Sequence, residues 1–174
     1  MSKSQSAKHG SGPPPGVMDE IRKRFSEREV LGMQALFALR SGAQQIDNAL
    51  NDWLADTVGS FARFQILMAL WTRKGHEIPH SDIVNAMGVT RATVSNLIAA
   101  LERDGLVKSY SDTEDRRKLI ARLTAKGETT IKKAFETSLG RFRAVFTSLS
   151  AAELIQLTTL LHRIRAGFVM ARQE

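Results

Sequence analysis

No cysteine occurs anywhere in the 174 residues. Disulfides, thiolate metal sites and thiol-based redox sensing are excluded together. Long apolar runs are also missing: none approaches the roughly 20 residues that a membrane-spanning helix needs. The N-terminus lacks an apolar signal core, so a cytoplasmic protein is expected. The chain has one tyrosine for base stacking. The deep, narrow groove of A-form RNA also excludes a helix, which disfavours an RNA partner.

Composition suits a folded domain with a nucleic-acid bias. An apolar fraction of 43% is enough to build one helical core. A formal charge of +7 favours a polyanionic partner. Residues 1–16 are polar and rich in Gly, Ser and Pro, and are expected to be a disordered tail.

The stretch from Ile78 to Leu123 organises the rest. Ile83, Val84 and Met87 fall on one face of a short helix. Gly88 can end that helix in the left-handed conformation, and Thr90 can cap a second helix running to about Asp104, with Gly105 beyond it. On the second helix Val94, Leu97, Ile98 and Leu101 recur at helical spacing and require a core. The opposite face carries Ala92, Ser95, Asn96, Ala99 and Arg103, with Arg91 and Thr93 near its start. Such a small, polar face suits insertion into the major groove; on an isolated helix it would equally be a solvated surface. Two strand-like segments follow, Leu106 to Tyr110 and Lys118 to Leu123, joined by a polar turn ending in Arg116 and Arg117. A helix pair at a glycine turn followed by a basic-tipped hairpin describes a winged helix-turn-helix. In that arrangement Arg116 and Arg117, with Asp115 beside them, anchor the wing at the backbone or minor groove.

Outside this region the pattern is helical. Residues from about Met18 to Leu54 form a helix with a break near Ser26, and Leu36, Leu39, Ala43, Ile46, Leu50 and Trp53 give it an apolar seam. Arg40 lies on the shoulder of that stripe beside Phe37, where an arginine either snorkels, pairs with a carboxylate, or receives an anionic ligand. Ser60 can cap a helix over Phe61 to Thr72 that buries Phe64, Leu67, Met68 and Trp71. Thr124 can cap a long helix to about Thr147. The Ser150–Glu153 capping box opens a last helix to about Arg172, burying Leu154, Leu157, Leu160, Leu161, Ile164 and Phe168. The first and last helices carry more apolar surface than a lone winged helix can cover. A second copy related by a two-fold axis is the simplest cover.

One motif invites a different reading. His76-Glu77-Ile78-Pro79-His80 fits the H-E-x-x-H pattern of zinc hydrolases, which requires both histidines on one continuous helix. Pro79 breaks a helix interior, and it reads better as the first residue of the next helix. His80 and Ser81 then become candidates for DNA backbone contact.

These residues resemble the MarR family of bacterial transcriptional regulators. The resemblance rests on Leu101 to Val107 (Leu-Glu-Arg-x-Gly-Leu-Val), Asp112 to Arg117 (Asp-x-x-Asp-Arg-Arg), Leu123 to Gly127 (Leu-Thr-x-x-Gly) and Leu149 to Leu154. Ala92 and Asn96 depart from it, since many members carry Ser or Thr at the first position and Arg at the second. The resemblance implies a mainly α fold: a three-helix winged helix-turn-helix core with a β-hairpin wing, and terminal helices forming an α-helical dimerisation region. The corresponding divisions are 17–57 (dimerisation), 58–123 (DNA binding) and 124–174 (dimerisation). It implies no enzyme activity, no cofactor and no metal. It further implies a homodimer on double-stranded DNA, reading a pseudo-palindromic operator through Arg91, Ala92, Thr93, Ser95 and Asn96. Repression relieved by a small aromatic acid or its coenzyme A thioester is the usual mode; activation or dual regulation on the same fold is the alternative. The effector residues so implied are Arg40, Phe37, Trp53, Phe61 and Phe64.

Overall fold

The computed structural model describes residues 16–113, 115 and 118–172, without the Lys74 side chain. The expectations for the N-terminal tail before Gly16 and for Arg116 and Arg117 therefore lie outside the described residues. The chain divides into two compact units, Met1–Ile131 and Lys132–Glu174.

In the first unit, helix α1 (Val17–Arg24) stops at an extended Phe25. Helix α2 (Glu27–Leu54) then starts with a full capping box, in which Ser26 and Glu29 satisfy each other's main-chain amides. The break near Ser26 is thus a second helix start. Helix α3 (Phe61–Thr72) is capped by Ser60, whose hydroxyl accepts from the Arg63 amide at 3.3 Å. Helix α4 (His80–Met87) ends at Gly88, with φ of 65°, a left-handed value that costs any side chain steric strain. Helix α5 (Arg91–Arg103) begins at Thr90, whose side chain accepts from the Thr93 amide. Strands β2 (Val107–Ser111) and β3 (Leu119–Leu123) pair antiparallel as the wing.

A third strand, β1 (Glu77–Pro79), joins the other side of β3, so the sheet order is β1-β3-β2. This corrects the reading of Pro79. It ends β1 and precedes the helix, which starts at His80. Proline is tolerated there because β1 is an edge strand and the missing N–H costs no ladder bond.

The core of this unit gathers Ile66, Leu67 and Leu70 of α3, Ile83 of α4, and Val94, Ile98 and Leu101 of α5. Val107 and Ala121 of the sheet complete it. Leu97 and Met68, expected in the core, are half-buried. Helix α6 (Ala125–Val145) starts in this unit. Its Gly127 passes so close to the Leu106 carbonyl that an added Cβ would sit 2.0 Å from the oxygen. That contact explains the glycine in the Leu-Thr-x-x-Gly motif.

The second unit holds the rest of α6 and helix α7 (Ala151–Met170), which opens on the Ser150–Glu153 capping box. No residue of α7 is buried, and Leu157, Leu160, Ile164 and Phe168 are exposed. Their expected burial is not met within one chain. The same holds for Leu36, Leu39 and Ile46 of α2. Periodicity identified the apolar faces correctly but could not say what covers them.

Candidate nucleic-acid interface

Helix α5 sorts its residues by face as helical geometry demands. Val94, Ile98 and Leu101 are buried, while Arg91, Ala92, Thr93, Ser95, Asn96, Ala99 and Arg103 are exposed. The small side chains leave the helix backbone accessible to a groove, and Asn96 presents both a donor and an acceptor. Thr93 is less free than its position implies. Its amide and hydroxyl both engage Thr90, the hydroxyls lying 2.8 Å apart.

The far end of α5 is fastened by residues that the sequence reading did not single out. Asp104, the residue closing the helix, forms an ion pair with Arg63 of α3. Hydrogen bonding and charge from Arg63 hold the Asp104 carboxyl below the usual carboxylate range, with Arg103 and Lys126 adding to the effect. Lys126 Nζ donates to the Asp104 carbonyl at 2.8 Å, and the Thr124 hydroxyl donates to the Gly105 carbonyl at 2.8 Å. Glu102 accepts from the Ser109 amide at 2.7 Å, which links α5 to β2. The one available signal was Arg63 itself, a lone cation inside an apolar run.

His80 and Ser81 open α4. His80 is half-buried, and its Nε2 lies 3.2 Å from the Ser109 hydroxyl, so this nitrogen is engaged within the fold. Burial holds the imidazole below its ordinary pKa, while the Glu102 carboxylate pulls the other way. Ser81 is exposed, with its hydroxyl 3.4 Å from Asp82.

The H-E-x-x-H segment is dispersed over three elements. His76 closes a 3₁₀ turn (Lys74–His76) at φ of 54°, Glu77 opens β1, and His80 opens α4. Glu77 accepts from the Tyr110 hydroxyl at 2.6 Å and pairs with Arg122, whose guanidinium carbon lies 5.4 Å from the centre of the Tyr110 ring. This carboxylate is a cross-strand clasp on all three strands, not a catalytic base. Among the described residues no cluster of three metal-ligating side chains occurs.

On the wing, Asp115 accompanies Lys118, with 3.8 Å between their charged atoms. Two of the five residues expected to meet an effector share a groove. Phe61 and Phe64 stack with centroids 6.2 Å apart and line a groove of about 460 Å³ between α3 and α4, with Met68, Met87, Arg73 and Asp82. Arg40, Phe37 and Trp53 do not line that groove. Arg40 is exposed, and Phe37 and Trp53 are half-buried.

Comparison with known proteins matches this geometry. Residues 60–119, from the cap of α3 to the first residue of β3, match the model of the MarR family. The chain is 26% identical to the HTH-type transcriptional repressor YetL of Bacillus subtilis, over 77% of this chain and 80% of that protein.

Over those residues the chain is similar to the MarR family.

MarR proteins are transcriptional regulators and not enzymes, and the mainly α winged helix-turn-helix expected from sequence is the fold observed. Sco3205, a MarR family regulator from Streptomyces coelicolor solved in complex with DNA, shares that fold. Its TM-score is 0.73 at 20% identity, covering 82% of this chain and 89% of Sco3205. BpsR of Bordetella bronchiseptica, whose DNA binding is regulated by 6-hydroxynicotinic acid, superposes with a TM-score of 0.64. The two are 25% identical over 73% of this chain and 89% of BpsR. Among the described residues no helix of this protein is long and apolar enough to cross a membrane.

Proposed function

We propose that this protein is a homodimeric repressor of the MarR type that binds a pseudo-palindromic operator and leaves it when a small aromatic acid, or its coenzyme A thioester, binds. The observation that carries the reading is the outward face of α5. Arg91, Ala92, Thr93, Ser95 and Asn96 are exposed together on a helix whose other side is anchored in the core. A two-fold dimer presents two such helices, which places half-sites about 10 bp apart or a multiple of that. Arg116 and Arg117, with Asp115, anchor the wing, and Ser81 or His80 approaches a phosphate. The exposed apolar residues of α7 and α2 supply the surface for the second copy.

Support comes from YetL, which is a repressor, from Sco3205, which was solved on DNA, and from BpsR, which responds to an aromatic acid. The effector reading keeps Arg40, Phe37, Trp53, Phe61 and Phe64 as candidate contacts, of which Phe61 and Phe64 share the α3–α4 groove.

The test is selection of bound duplexes from genomic fragments, followed by affinity measurements against salt. A selected palindrome with a steep salt dependence supports the reading. Equal affinity for every duplex, or a monomer in sedimentation at micromolar concentration, refutes it. Effector release that is unchanged by Arg40→Ala for every active ligand would remove that residue from the site.

A further inference from the structure

The two ends of α5 are held in different ways. Among the described residues, the side chains from Arg91 to Asn96 form no hydrogen bond beyond the Thr90 cap. Val94, Ile98 and Leu101 press the helix onto the core, but apolar contact is non-directional and sets its depth better than its angle. Directional bonds from other elements gather at the far end. Arg63 of α3 pairs with the Asp104 carboxylate, Lys126 of α6 donates to the Asp104 carbonyl at 2.8 Å, and Glu102 accepts from the Ser109 amide of β2. Arg63 is unusually confined for an arginine. Its side chain is only 18% exposed, and its Nε is buried with no hydrogen-bond partner among the described residues. Its guanidinium lies over Gly59, where a Cβ would come within 3.1 Å of Nη1. Burying a guanidinium with an unfilled donor is a poor way to gain stability. What the confined fork does supply is a fixed direction for the carboxylate it holds.

We propose that Arg63 is a positioning residue for DNA recognition: through Asp104 it fixes the tilt of α5, and with it the selectivity among duplexes, without touching DNA itself. The leverage follows from helix geometry. From Asp104 back to Thr93 the helix axis runs about 16 Å, so a tilt of about 5° about the fastened end carries Thr93 about 1.4 Å. A hydrogen bond to a base edge tolerates only a few tenths of an ångström. Contacts to phosphate charge survive such a shift far better, so the tilt governs discrimination more than bare attraction. The proposal rests on the reading of α5 as the DNA-contacting helix.

The test compares the whole protein with Arg63→Gln, Asp104→Asn and the double variant, on a selected duplex and on an unrelated one, at a temperature where circular dichroism shows each variant folded. Each single substitution should weaken the selected duplex about tenfold and leave the unrelated one within about twofold. The sign for Asp104→Asn is decisive. It removes a negative charge, so simple electrostatics would tighten DNA binding, whereas lost positioning weakens it. The double variant should lose no more than either single one, because the two residues act through one bond. The salt slope should stay at the parent's value after Arg63→Gln, where loss of a phosphate contact would lower it by about one. Should Arg63→Gln fail to fold, Asp104→Asn carries the test, since that side chain is 51% exposed. Unchanged or tighter binding by Asp104→Asn, equal losses on both duplexes, additive losses in the double variant, or a reduced salt slope would each overturn the positioning role. A parent protein with no preference among duplexes overturns the reading of α5, and the positioning role falls with it. A selective parent with unmoved variants overturns the positioning role alone.

Discussion

Glu102 and Ser109 join the last turn of α5 to β2, the Ser109 amide meeting the Glu102 carboxylate at 2.7 Å. Ser109 is also the partner of His80, so one strand residue touches the two helices of the helix-turn-helix. Glu102→Ala removes the acceptor from a half-buried amide and should cost about 1 kcal/mol in chemical denaturation. Glu102→Gln, which keeps an oxygen there, should lose less than half as much. Equal losses would show that the bond contributes little.

Two glycines should respond to alanine for different reasons. At Gly127 the new methyl meets the Leu106 carbonyl, and overpacking of this kind costs about 1–3 kcal/mol or more. At Gly88 the space is open but φ is 65°, so the cost is the backbone penalty of roughly 1 kcal/mol. Gly88→Asn should recover part of that loss, whereas Gly127→Asn should be worse than Gly127→Ala. Urea midpoints at constant m value decide between them.

His80 gives the fold a pH dependence of definite sign. Its folded pKa is lowered by burial from 6.5, so the unfolded chain takes up the proton first. The stability it contributes is present above that value and is lost as the pH falls through the lowered folded one. Denaturation midpoints should decline over this window and decline less in His80→Gln. NMR titration should show the His80 ring titrating below the ordinary imidazole value. An ordinary His80 titration curve would remove the basis for the effect.

For DNA, Asn96→Ala should change preference at one operator position, by about 1–3 kcal/mol where its bond to a base is bidentate. Arg116→Ala or Arg117→Ala should instead weaken every duplex and reduce the salt slope by about one. Competition assays across single-base operator variants separate the two, and a uniform loss from Asn96→Ala would assign it to the backbone.

Local chemistry was legible before the structure. Ser60, Thr90 and Ser150 cap the helices they were expected to cap, because a hydroxyl and an amide three residues apart decide the matter between themselves. Strand β1 was not legible. It has three residues, ends in proline, and exists only because β3, more than forty positions later, pairs with it. The same distance hid the Arg63–Asp104 pair, whose members lie 41 positions apart. Glu77 shows how a local motif misleads: its letters match a catalytic helix, while its real partners, Tyr110 and Arg122, lie on other strands. The outward face of α5 was predicted because the core claims the other face. Helix α7 has no such constraint within one chain.

The middle position of β3 gives the head a mechanical character. Through β1 it is continuous with the segment that launches α4, and through β2 with the end of α5. A push on the hairpin is therefore delivered to both helices at once.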